Sequence, residues 1–219
     1  MANIKVSAFR WVPPFAQGLV RDLRVRWALE EAGLSYEERL IGLEDKNTEA
    51  YRRLQPFGQV PSYEEDGVEL FESGAIVLHI AERSEALMPA EPRARARTKT
   101  WMFAALNTIE PHFQNLAEVD LFSAKEEWAQ PRRPTVLKAI RSRLTDLTRW
   151  MGEREYLEER FTAGDLLMST VLRIPRHTEL VAEFPTLQAY QRRCEARPAF
   201  QKALAGQMES FARNAPPAK

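Results

Sequence analysis

The dipeptide Asp66-Gly67 stands between two strand-like runs, Val60–Glu65 and Val68–Phe71. Such a pair closes a two-residue hairpin, because Asp and Gly tolerate the positive φ values of a tight turn. The first part of the chain must therefore hold an antiparallel pair of strands. What precedes the pair narrows the choice. Ile4–Phe9 is short and partly β-branched, and Tyr36–Ile41 reads as a second strand. Between them, Gly18–Ala32 repeats Leu19, Leu23 and Trp27 at four-residue spacing, the mark of one buried helical face. Gly33 then stops the helix in a left-handed C-cap. A strand-helix-strand unit of this length joins parallel strands by a right-handed crossover. Asp45–Leu54 is a polar helix ended by Pro56 and Gly58, and Ser73 takes the N-cap of an apolar helix through Ala81. The order is βαβ, a loose helix, then ββα.

The pattern changes after residue 85. Glu85–Pro92, with Pro89 and Pro92, reads as a linker. Helices are expected near Arg93–Ala117, Pro134–Met151, Ala163–Leu172, Pro185–Glu195 and Ala199–Ala212, followed by a loose tail from Asn214. This divides the chain into an α/β domain over 1–85 and an all-α domain over 92–219. A length of 219 residues accommodates two such domains.

Charge and cysteine usage exclude several functions. Lys+Arg and Asp+Glu both number 31, so no global field favours nucleic acid or an anionic membrane. The run Arg93, Arg95, Arg97, Lys99 reads as a solvated helix face. Cys194 is the single cysteine, so neither an intramolecular disulfide nor a multi-thiolate metal site can form. His79, His112 and His177 lack ligand spacing. No basic-then-apolar leader opens the chain, and no apolar run approaches the ~20 residues of a bilayer span. The expected compartment is the cytoplasm, with no metal, nucleic acid or membrane partner.

The chemistry concentrates in Leu54-Gln55-Pro56-Phe57-Gly58-Gln59-Val60-Pro61-Ser62 and in Glu72-Ser73-Gly74-Ala75-Ile76, which starts eleven residues after Pro61. A proline opening a hairpin strand cannot donate to the ladder. With a cis Val60–Pro61 bond, the main-chain groups of Val60 face outward and can pair with an extended peptide. Ser73 at a helix N-terminus offers a hydroxyl and N–H groups to a carboxylate, and Glu72 can accept from an ammonium. Together they suit the α-amino-acid end of a γ-glutamyl group. The plainer alternative is a proline-broken loop and an ordinary N-cap.

Gly58-Gln59-Val60-Pro61 with Glu72-Ser73-x-Ala75-Ile76 resembles the glutathione site of the glutathione transferase superfamily. The resemblance implies a thioredoxin-like N-terminal domain and an all-helical C-terminal domain. It implies that Val60 pairs with the cysteinyl unit, Pro61 is cis, and Glu72 and Ser73 bind the γ-glutamyl end. Gln59 and Lys46 are further glutathione contacts by position, Lys46 toward the glycyl carboxylate. A second likeness is Thr162-Ala163-Gly164-Asp165, a capping box with Phe161 and Leu166 placed for a hydrophobic staple; its role is in folding.

A free thiol has a pKa near ~8.5 and is only ~3% ionised at neutral pH, so a transferase must lower that value. Family members usually place Tyr, Ser or Cys after the first strand. Here the loop reads Arg10-Trp11-Val12-Pro13-Pro14-Phe15-Ala16-Gln17-Gly18 and holds none of them. Arg10 and Trp11 are the leading candidates, ahead of Gln17, Arg21 and the main-chain N–H groups near Gly18 and Leu19. Ser7 lies inside the first strand. Trp101 and Ala105, with Met102 and Phe113, are candidates for an acceptor pocket between the domains. The implied activity is conjugation of glutathione, as co-substrate, to a small hydrophobic electrophile in detoxification. The alternatives are glutathione-dependent peroxide or disulfide reduction, and a non-enzymatic binding or scaffolding module. The family's homodimer is also implied, with Phe57 as an apolar key.

Overall fold

A computed structural model describes residues 3–217. Residues through Leu87 form one compact unit together with the segment from Arg197 onward, and Met88–Ala196 forms a second.

In the first unit, β1 (Lys5–Phe9), α1 (Asp22–Ala32) and β2 (Glu37–Ile41) make the expected crossover, with Lys5 opposite Glu37 and Phe9 opposite Ile41 in a parallel pair. After α2 (Glu49–Leu54), β3 (Ser62–Glu65) and β4 (Val68–Phe71) form the hairpin, and α3 (Ser73–Ala81) follows. The sheet order is β2-β1-β3-β4, with β3 antiparallel to β1. At the hairpin tip Asp66 has φ 47° and Gly67 φ 85°, the two positive values that a primed turn requires.

Two expectations shift at the ends of elements. α1 begins at Asp22 rather than Gly18, because Pro13, Pro14 and the positive φ of Gly18 (75°) keep residues 13–20 in consecutive turns. Leu19 therefore lies before the helix, and its N–H is spent on the Ala16 carbonyl. The Asp45–Leu54 segment divides into a short 3₁₀ turn, Asp45–Asn47, and α2, which Thr48 caps by accepting from the Tyr51 amide.

The last helix, α9 (Pro198–Arg213), was expected with the all-α residues but groups with the first unit. It lies along α1, where Trp27 meets Phe200 edge to face at 4.8 Å between centroids. Arg26, 1% exposed, bonds Asp22 (2.6 Å) and Glu38, while Gln207 and Ser210 of α9 donate to Asp22 (2.8 Å) and Glu38 (2.8 Å). Every residue from Asp22 to Leu29 is buried, so α1 has no solvent stripe. A charged buried face of this kind cannot be read from apolar spacing, because the partners come from β2 and α9.

The second unit is helical: α4 (Pro92–Phe103), α5 (Glu110–Ala117), α6 (Ala129–Met151), α7 (Ala163–Leu172) and α8 (Pro185–Glu195). The expected helix over 93–117 is interrupted by a wider π turn at Ala104–Ile109. α6 starts at Ala129 and carries Pro134 inside it, instead of starting there. The basic run on α4 is only partly a solvated face. Arg97 bonds Glu158 (2.7 Å) and lies 5.1 Å from the centre of the Trp150 ring. The Thr162 box forms as expected. Asp165 accepts from the Thr162 amide (2.9 Å), and Phe161 and Leu166 are both buried.

Candidate functional site

The site elements of the first unit converge where β3 and α3 begin. The Val60–Pro61 bond is cis. Gly58 sits just before it at φ 62°, and a Cβ there would meet the Lys46 carbonyl and the Arg52 guanidinium carbon, each at 2.8 Å. Only glycine fits that turn. The Lys46 segment therefore packs directly against the approach to Val60. The Lys46 side chain is half-buried, and its ammonium meets no acid among the described residues.

Glu72 is the N-cap of α3, one residue earlier than expected, and Ser73 is the first helical residue. Glu72 adopts φ 68°, ψ 112°, a conformation that non-glycine side chains avoid. Its carboxylate is exposed and takes no hydrogen bond or ion pair among the described residues. No side chain caps α3, so the N–H groups of its first turn remain available. Behind them, the buried Arg24 donates to Ser73 Oγ (3.3 Å). The Ser73 hydroxyl hydrogen is thus left to donate outward, with a cation at its back.

The proposed thiol-activating residues lie just past β1. Arg10 is exposed, and its guanidinium stands 3.8 Å from both Glu44 and Asp45. Its charge is shared with two acids. Trp11 is half-buried, and its indole N–H has no acceptor among the described residues. Gln17 donates to the Val12 carbonyl (3.0 Å) and so fastens the loop itself. Ser7 is 1% exposed and spends its oxygen on Tyr51 and Ser62, so it cannot reach a bound thiol. Tyr51, the one buried residue of α2, has no place in the sequence reading. Its only sequence signal is a lone aromatic in a polar helix.

In the second unit, Trp101 donates its indole N–H to Glu158 (2.6 Å) and lies 5.2 Å from Trp150, ring centre to ring centre. Ala105, Met102 and Phe113 are buried. The indole contacts of Trp101 thus lie within that unit. Among the described residues no group of three or more His, Cys, Asp or Glu is placed to hold a metal, and no helix is long and apolar enough to cross a membrane. Cys194 is buried.

Residues 17–82, from the loop before α1 to the end of α3, match the family model of the glutathione S-transferase N-terminal domain. Glutathione S-transferase 3 of Zea mays is 30% identical over 202 residues, covering 84% of this chain and 88% of that protein. The disulfide-bond oxidoreductase YfcG of Escherichia coli is 29% identical over 193 residues, 80% of this chain and 86% of YfcG. A glutathione transferase of Burkholderia graminis, solved with two glutathione molecules per subunit, superposes with a TM-score of 0.80 at 25% identity, covering 92% of this chain and 87% of that one. With its α/β first unit and helical second unit, the chain belongs to the glutathione transferase superfamily.

Proposed function

We propose that this chain binds glutathione at Lys46, Gln59, Val60, Pro61, Glu72 and Ser73 and passes its thiolate to a small hydrophobic electrophile. The observation that carries the reading is Glu72. An unpaired, exposed carboxylate is held at positive φ beside the uncapped start of α3. A carboxylate there costs stability and contributes no internal contact, so a ligand ammonium is its natural partner. The ligand carboxylate then meets the Ser73 hydroxyl and the first-turn N–H groups. Trp11 is the donor for the sulfur, because its N–H is free, and Arg10 adds a cation that Glu44 and Asp45 partly screen. In conjugation the thiolate bonds to the electrophilic carbon, and the leaving group departs with the electron pair of the broken bond.

A second reading is reduction of a mixed disulfide. The likeness to YfcG favours it, whereas the loop without Tyr, Ser or Cys favours a non-enzymatic binding module. The glutathione thiolate attacks the glutathionyl sulfur of the mixed disulfide, the S–S bond breaks, and the other thiol leaves as thiolate while glutathione disulfide forms. Both readings use the same cradle.

Calorimetry with glutathione, followed by turnover with aryl halides and with glutathionylated thiols, tests the assignment. Binding with turnover on aryl halides supports conjugation, and turnover on disulfides alone supports reduction. Binding without turnover marks a binding module, and no uptake at millimolar glutathione refutes the cradle. A homodimer also fits, since Phe57 (63% exposed) and Phe71 stand 6.0 Å apart, ring centre to ring centre, as an apolar pair beside the edge strand. Light scattering on Phe57→Glu should then report a monomer.

A further inference from the structure

Behind Val60 lies a buried chain of hydroxyl groups. The Ser62 amide donates to Ser7 Oγ (2.6 Å), and the Ser62 hydroxyl contacts the same oxygen (2.9 Å). Ser7 Oγ is 2.8 Å from Tyr51 Oη, and Tyr51 Oη donates to the Gln59 carbonyl (2.7 Å). Ser7, Ser62 and Tyr51 are 1%, 1% and 3% exposed.

Proton counting sets every direction. The Gln59 carbonyl can only accept, so the single Tyr51 proton points to it. The Ser7 proton must then go to Tyr51, and the Ser62 proton to Ser7. Burial raises the Tyr51 phenol above its ordinary pKa, which keeps it a donor at neutral pH. The relay takes over where the β-ladder stops. The last β1–β3 pair is Val6 opposite Tyr63, Pro61 has no N–H to offer, and the Ser7 side chain satisfies the next amide.

The Gln59 carbonyl and the Val60 N–H belong to one peptide plane and point in opposite directions. A carbonyl held inward by Tyr51 therefore turns the Val60 N–H outward, and that N–H takes no acceptor among the described residues. We propose that Tyr51 is a positioning residue for the tripeptide site: through its bond to the Gln59 carbonyl it aims the Val60 N–H at the ligand main chain, with Ser7 orienting the Tyr51 hydroxyl. This rests on the glutathione reading above.

Ser62 provides the control. Ser62→Ala removes the Ser62 hydroxyl from Ser7 and from its side contact with Tyr51 but leaves Ser7 donating to Tyr51 and Tyr51 donating to Gln59. Tyr51→Phe keeps the ring and cuts the tether. Both variants should unfold at lower temperature than wild type. Calorimetry should show glutathione affinity falling roughly tenfold in Tyr51→Phe and less than about twofold in Ser62→Ala. Equal losses in the two variants, or no loss in Tyr51→Phe, would overturn the proposal. A wild type that takes up no glutathione defeats the site reading instead. The positioning role is then decided without ligand, by the backbone ¹⁵N order parameter of Val60, which should drop in Tyr51→Phe and hold in Ser62→Ala. An unchanged order parameter in Tyr51→Phe overturns it.

Discussion

Two helices of this molecule begin in opposite ways. α7 opens on a closed device: Thr162 accepts from the Gly164 amide, and Asp165 accepts from the amides of Leu157 and Thr162 and from the hydroxyls of Thr162 and Tyr190. Every one of these groups is buried or nearly so, and none faces a ligand. α3 opens on Glu72, an exposed acid in an unfavourable conformation, with no side-chain cap. The same elementary facts, spare N–H groups and a positive helix end, are consumed internally at α7 and left available at α3. The difference separates a folding element from the proposed binding element more sharply than the residue types do, since both starts pair an acid with a hydroxyl.

The largest effect expected from breaking the contrast is at α7. Asp165→Ala strips the buried hydroxyl of Tyr190 of its carboxylate acceptor, orphans two amides and should destabilise the protein by about 3–5 kcal/mol in denaturant unfolding. Glutathione affinity of the protein that remains folded should be unaltered. Ser73→Ala should do the reverse. Loss of its hydroxyl weakens glutathione binding roughly tenfold, about 1.4 kcal/mol, and lowers the unfolding midpoint less than Asp165→Ala does, through loss of the 3.3 Å bond from the buried Arg24. Calorimetry beside thermal unfolding reads both variants.

A smaller and more pointed effect belongs to Glu72→Gly. Glycine adopts φ 68° without penalty, so thermal unfolding should show a gain of about 1 kcal/mol while glutathione affinity falls. A loss of stability there would mean that the carboxylate has an internal role and that α3 resembles α7 after all.

The mildest signature is a pH slope. Burial pushes Asp165 up to about 6, against the pull of its hydrogen-bond donors. A folded-state pKa above the unfolded value contributes stability that is complete below the unfolded pKa of about 3.8 and is lost as pH rises through about 6. Unfolding free energies measured from pH 4 to 7 should therefore fall with pH more steeply in wild type than in Asp165→Asn, which has no proton to lose.

Much of this was legible in the sequence wherever the cause is local. Asp66-Gly67 demands its turn, Thr162 and Asp165 sit three residues apart as a box must, and Gly58 precedes Val60-Pro61 in a segment that can only be a sharp loop. The residues of the proposed cradle could be singled out because they neighbour those signals. The start of α1 was not, since the apolar spacing runs on through Leu19 while the turns of residues 13–20 end it. The burial of Arg24 and Arg26 was hidden as well, because arginines at those positions read as a solvent face until Asp22, Glu38 and Ser73 stand beside them.

By itself, then, the amino-acid order determined most of the elements, the hairpin and the Thr162 capping box, and it singled out the residues proposed to grip a γ-glutamyl group, since each depends on φ preferences and spacings within a few positions. Tertiary structure alone decided that α9 returns to α1 and that Ser7, Tyr51 and Ser62 meet behind Val60. Those outcomes depend on buried polar groups from distant segments satisfying one another, and no short window of sequence states which partner will arrive.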